Sequence, residues 1–128
     1  MIIDKNSVKK SVALGAILTA LAIILGAFGA HALKKILTPS LLDTFLTGNR
    51  YHMFHGLSFI VVSILELIFS LNLKVVRYFF LAGIIAFSGM CYVYALTSVK
   101  TFAMIVPLGG VAYIVGWLVL AVKIYKNE

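Results

Sequence analysis

The sequence predicts an all-α integral membrane protein: a four-transmembrane-helix antiparallel bundle with a short interfacial helix between spans 1 and 2. Three observations carry that prediction. The 128 residues are 62% hydrophobic and only 12% charged, too few charges to coat a soluble domain of this size, and the mean hydropathy is +1.10. The apolar residues fall into long runs rather than an alternating pattern. The lysines and arginines sit at the ends of those runs, where they anchor a membrane protein and set its orientation. The length suits a single membrane domain, 1–128, with spans near 11–33, 51–71, 75–97 and 102–123. The formal net charge of +7 does not imply nucleic acid, because no basic helix and no aromatic-basic interleaving accompanies it.

Residues 1–10 form a short tail with Lys5, Lys9 and Lys10. Val12 to Ala30 follows without a charge, and at ~1.5 Å rise per residue it crosses a hydrocarbon core of ~30 Å. A basic start and the Ala30-His31-Ala32 triplet also fit a signal peptide with an A-x-A cleavage site. The run exceeds the usual apolar core of about 7–15 residues in such peptides, so a retained span is expected; the mass of the mature protein separates the two. Within this span Ala22, Gly26 and Ala30 recur every fourth residue, with Gly15 and Gly29 added. Small residues so spaced let two helices approach closely in lipid, where packing drives association.

The link from Lys34 to Arg50 contains Thr38-Pro39, a natural helix cap followed by a first-turn proline. Leu41, Leu42, Phe45 and Leu46 then share one helical face, which predicts a short helix lying in the membrane interface. Gly48-Asn49 reads as a break before span two. The links Asn72–Lys74 and Ser98–Thr101 are so short that spans two, three and four must be consecutive antiparallel neighbours. Seven bases lie on the side of the two termini (Lys5, Lys9, Lys10, Lys74, Arg77, Lys123, Lys126) and four on the other (Lys34, Lys35, Arg50, Lys100). The positive-inside rule therefore puts both termini in the cytoplasm of a bacterial plasma-membrane protein.

All three histidines bracket the first link. His31 ends span one, and His52 and His55 open span two on neighbouring positions of one face. If spans one and two are adjacent, three imidazoles share the outer boundary. They could hold zinc, copper or iron, ligate a haem, or handle protons; histidine at an interface also serves as an ordinary hydrogen-bonding residue. Glu66 is the only acid inside a span. It is a functional candidate by its depth, or the partner of Arg77 or Lys74 near the inner interface. Span three carries Ser88 and Gly89, span four Pro107, Gly109 and Gly110. Counted from the third link, Ser88 and Gly110 lie at similar depth, roughly 12–14 Å below it. Ser88 could bond a carbonyl freed by Pro107, or the group could be plain helix packing. Together with Gly26 and Gly29, these residues and the histidines form a candidate pocket or packing site in the outer half of the bundle. The lone Cys91 excludes an intrachain disulfide and reads as a small buried filler.

Four segments, GAFGAHALKK (26–35), TGNRYHMFH (47–55), FSGMCYVYAL (87–96) and PLGGVAYIVGW (107–117), resemble in order and spacing the YwdK/YgdD-type family of small multi-pass bacterial membrane proteins, a domain family of unknown function. Met90 departs from the small residue usual after the FSG glycine, and Glu66 from the apolar residue usual there. The resemblance implies a plasma-membrane protein with four spans and implies no activity or catalytic residues. The leading reading is a non-enzymatic bundle that packs with itself as a homo-oligomer, with the lipid bilayer, or with other membrane proteins. The alternative is a protein that handles a small ligand, metal, haem or protons through His31, His52 and His55. No nucleophile–base pair, acidic metal cluster or phosphate loop supports an enzyme, no clear inverted repeat supports a transporter, and no cofactor is required by the sequence.

Overall fold

The computed structural model describes residues 2–127, and the described residues form helices and turns without a strand. Helix α1 spans Lys5–His31, capped by the Asp4 carboxylate, which accepts from the Asn6 amide at 2.9 Å. A single 3₁₀ turn, Leu33–Lys35, leads to α2, Pro39–Ile68. The Thr38 hydroxyl caps α2 by accepting from the Leu41 amide, and Pro39 occupies the first turn, where its missing N–H loses nothing. Helix α3 spans Lys74–Thr97, and α4 spans Lys100–Tyr125 with Pro107 inside it. All four are long and apolar enough to cross a membrane. Chain reversals after α2 and α3 use Ser70 and Ser98 in the left-handed region, at φ 52° and 58°.

The expected interfacial helix is not a separate element. The segment is helical from Pro39, but it runs unbroken through Gly48-Asn49 into span two. Turn propensity loses here to tertiary contact. A Cβ at Gly48 would come within 2.5 Å of the Cys91 Cβ, so the glycine admits α3. The Asn49 amide donates across to the Ala22 carbonyl at 2.7 Å instead of bonding its own backbone. The Leu41/Leu42/Phe45/Leu46 face does not lie on lipid either: Phe45 is buried with Leu33 and Ala95, and Leu42 and Leu46 pack against that cluster.

The helices stand in chain order, each antiparallel to the next. Along α1 the buried residues are Val8, Gly15, Ala22 and Gly29, a spacing of seven that keeps one face on a left-handed crossing partner. The four-residue stripe read from the sequence is not the seam, since Ala30 faces outward. Gly15 meets Ile60, Ala22 meets Asn49, and Gly29 meets Phe45, so α1 runs against α2. Among the described residues, the α1 backbone comes within 8 Å, between Cα atoms, of no other long helix. Helices α3 and α4 pack just as closely: Gly83 abuts Tyr113, Gly116 abuts Phe80, and a Cβ at Gly109 would overlap the Phe87 amide nitrogen. The backbones of α2 and α4, by contrast, nowhere approach within 8 Å between Cα atoms. The bundle is therefore open between α2 and α4, and only side chains close that gap.

Within α3, Ile84–Gly89 is wound as a π-helix, a local widening that is often found at functional positions. Phe87 and Ser88 lie in it, against the close approach of Gly109. At the opposite end of the bundle, Phe59, Val62, Leu73, Val76 and Phe80 form the main apolar core.

Candidate functional site: a cleft between the second and fourth helices

Two polar networks cross the outer half of the bundle, both organised by α2. The first ties α2 to α1 and α3. The Asn49 amide donates to the Ala22 carbonyl at 2.7 Å and to the Tyr92 hydroxyl at 3.3 Å. The Tyr92 hydroxyl lies 2.9 Å from His52 Nδ1. His52 Nε2 is the one buried side-chain nitrogen or oxygen without a hydrogen-bond partner among the described residues.

The second network ties α2 to α4. His55 Nδ1 donates to the Tyr51 carbonyl at 2.8 Å, one helical turn back. Its Nε2 accepts from the Trp117 indole N–H at 3.0 Å. Both ring nitrogens are thus engaged, and the ring is neutral with its proton on Nδ1. The imidazole also stacks on Tyr113, with centroids 3.6 Å apart and planes inclined by 14°. The Tyr113 hydroxyl lies 3.0 Å from the Ser88 hydroxyl on the π-segment. Buried tyrosine and tryptophan normally find a partner for their polar tips, and each of these does.

Between these side chains is a cleft of about 460 Å³. Tyr51, Phe54 and His55 form its α2 wall, Tyr113, Ile114 and Trp117 its α4 wall, Phe87 and Gly110 its floor, and Arg50 stands at its rim. Phe54 and Ile114 are exposed, so the cleft opens on the flank of the bundle. A second apolar groove, about 750 Å³, runs along α2 from Leu46 to Val61 and shares Arg50 and Phe54 with the first.

The histidines read from the sequence are not brought together. His31 is exposed at the end of α1, and no three His, Cys, Asp or Glu side chains among the described residues converge on a metal position. His52 and His55 are neighbours on α2, yet one faces Tyr92 and the other Trp117. They also sit in mid-helix rather than at a helix start, because α2 begins at Pro39. A bare ring nitrogen is what a metal or haem iron requires. His55 has none free, since its Nε2 lone pair already receives the Trp117 proton.

Ser88 bonds Tyr113, not a carbonyl freed by Pro107; Pro107 faces outward, away from it. Gly109 is a point of backbone contact, Gly110 lines the cleft, and Gly89 approaches no other helix. Gly26 and Gly29 belong to the α1–α2 seam, against Asn49 and against Phe45 and Leu46, and take no part in the cleft. Glu66 lies at the other end of the bundle, 3% exposed, paired with the equally buried Arg77. Its Oε2 also accepts from the Leu73 amide at 3.2 Å, so the pair locks the α2–α3 turn.

The sequence reading missed Asn49, Tyr92, Tyr113 and Trp117. A signal existed for the last two. Tyr113 and Trp117 are four residues apart, on one face of an apolar span, as are Tyr51 and His55 on theirs. Polar-tipped aromatics deep in lipid need partners, and the histidines supply them.

Residues 25–110 match the profile of a family described as a protein of unknown function (DUF423). The chain belongs to this family. The curated relatives it resembles include the UPF0382 membrane protein YwdK of Bacillus subtilis, 38% identical over 120 residues that cover 92% of this chain and 98% of YwdK. A UPF0382 membrane protein of Staphylococcus saprophyticus is 37% identical over 118 residues, covering 92% of this chain and 98% of its own. One of Staphylococcus aureus is 35% identical over 118 residues, covering 92% and 97%. No solved structure matches the chain. The family is thus the one the four segments resemble, and the protein is a bacterial multi-pass membrane protein.

Proposed function

We propose that the protein is a non-enzymatic component of the plasma membrane that holds the hydrocarbon chain of a lipid-like molecule in the cleft between α2 and α4. The cleft itself carries this reading. It lies between two helices whose backbones never meet, its walls are aromatic and apolar, and it opens sideways. Its volume of about 460 Å³ falls in the range of ~300–1,000 Å³ usual for ligand pockets. Most of the polar groups around it are already engaged, which suits an apolar occupant: His55 at both nitrogens, Trp117 on His55, and Ser88 with Tyr113, while Cys91 is buried and the Arg50 guanidinium is unpaired among the described residues. The excess of bases on the side of the two termini supports a cytoplasmic location for both.

Gentle extraction followed by native mass spectrometry tests the proposal. The parent protein is expected to carry bound lipid, and Gly110→Leu, whose side chain projects into the cleft, is expected to lose it. Equal retention by the two would refute the assignment. Reporter fusions at each terminus test the orientation, and an active periplasm- or surface-dependent reporter at either end would overturn it.

A further inference from the structure

We infer that the occupant is an anionic phospholipid, its phosphate held by Arg50 and its two chains divided between the two grooves that meet at Phe54. This rests on the lipid-holding reading above and adds the chemistry of the headgroup and the number of chains. Arg50 is exposed and lines both grooves. The only ion pair among the described residues is Arg77 with Glu66, so no carboxylate neutralises Arg50. Neither groove has an acidic residue in its lining. From Tyr51 to Leu65 the helix carries no charge, and Arg50 stands eleven residues inside α2, beside Asn49, which bonds Ala22 and Tyr92; a cation at that depth extends its long side chain outward to the headgroups or draws an anion down to it. A guanidinium there presents a fixed fork of donors that matches a phosphate bidentately.

The geometry below Arg50 suits two chains rather than one. Phe54 stands one turn beneath it and separates the grooves, belonging to the lining of both. The first groove descends between α2 and α4 to Trp117; the second follows α2 down to Val61. The eleven positions from Arg50 to Val61 span about 16 Å along the helix, close to one leaflet of a ~30 Å hydrocarbon core. A diacyl lipid straddling Phe54 places one phosphate at one cation and one chain on each side.

Trp117 is the only tryptophan and forms a wall of the first groove, so its fluorescence reports occupancy. The full-length protein is reconstituted in phosphatidylcholine vesicles with graded amounts of chain-brominated phosphatidylcholine or chain-brominated phosphatidylglycerol. Quenching of Trp117 then gives the relative affinity of the two lipids. The parent is expected to prefer the anionic lipid by about five-fold, the contribution of one basic residue at an anionic surface. Arg50→Gln is expected to bring the ratio to about one, Arg50→Lys to keep an intermediate preference, and the double variant Lys34→Gln/Lys35→Gln to keep the parent ratio. Protection of the buried Cys91 from a maleimide dye confirms that each variant is folded. A parent ratio near one, or a preference that survives Arg50→Gln, overturns the headgroup assignment; if Gly110→Leu still relieves quenching, the cleft reading stands without it. Quenching unchanged by Gly110→Leu overturns both.

Discussion

Glu66 and Arg77 offer the sharpest test of the packing. Each is 3% exposed, and the two helix ends they join are separated by a short turn held by the same carboxylate. At an effective dielectric of ~20, two unit charges ~4 Å apart attract by about 4 kcal/mol. Removing one partner leaves the other as a buried charge, which costs about 3–5 kcal/mol. Glu66→Leu additionally strips the Leu73 amide of its acceptor, worth about 1 kcal/mol. Replacing both partners removes the desolvation penalty along with the attraction. Glu66→Leu/Arg77→Leu is therefore expected within about 1–2 kcal/mol of the parent, far above either single variant. The coupling from the double-mutant cycle should be about 3 kcal/mol or more.

The chain supplies its own probe for that cycle. Cys91 is the only cysteine, and it is buried between α3 and Gly48 of α2. Its reaction with a maleimide dye during equilibrium unfolding in mixed detergent micelles follows loss of the α2–α3 contact. Single variants within about 1 kcal/mol of the parent, or a double variant as unstable as the sum of the singles, would refute the account of a buried, mutually dependent pair.

Five further substitutions follow, three read by the same labelling and two by the emission of Trp117. Gly109→Ala must push α4 off the Phe87 amide and should cost about 3 kcal/mol or more, whereas Gly110→Ala, whose Cβ comes no nearer than 3.6 Å to the Phe87 ring, should cost under about 1 kcal/mol. Asn49→Ala deletes the bonds to Ala22 and Tyr92 and should cost about 1–2 kcal/mol; protease cleavage of the Leu33–Thr38 link should speed up as α1 loosens. His55→Phe keeps the ring stack on Tyr113 but leaves the Trp117 N–H without its acceptor, so the emission of Trp117 should shift measurably, while His31→Ala should leave that emission unchanged.

The four spans and the Thr38 cap were legible because they depend on near neighbours; the start of α1 was not, since residues 5–10, read as tail, are helical behind the Asp4 cap. Thr38-Pro39 starts a helix wherever it stands, and the charge-free run after Val12 is long enough to cross a bilayer in any context. Glu66 pairing with Arg77 was legible for a related reason: eleven residues and one short turn bring the two side chains to the same end. What was not legible depends on partners far along the chain. Asn49 breaks helices in isolation; here its amide bridges α1 and α3, so the helix continues through it. The seven-residue seam of α1 cannot be told from a four-residue stripe until the crossing partner is known, because Gly and Ala satisfy both. The π-segment at Ile84–Gly89 has no composition of its own and follows from the fit of Gly109 against Phe87. His52 and His55 were read at the start of span two beside His31; they stand in the middle of α2 instead, each turned to a partner, Tyr92 or Trp117, that lies 40 or 62 residues away.

Those distant partners explain why two histidines three residues apart do different work. His52 sits on the closed side of α2, where helix backbones touch and Asn49 fixes the spacing between them. His55 sits on the open side, where no backbone contact exists and side chains alone set the distance between α2 and α4, His55, Tyr113 and Trp117 among them. Glycines hold the α1–α2 and α3–α4 pairs at fixed separations, because packed backbones cannot slide apart without opening voids. Rings across a gap impose no such limit, because a hydrocarbon chain can replace the contacts they lose. The α2–α4 side is therefore where this bundle can change width at least cost. Gly48 against Cys91, and Asn49 and His52 on Tyr92, tie α2 to α3 at this same end, so a change of width at the cleft falls on the side chains that face across it from α2 and α4.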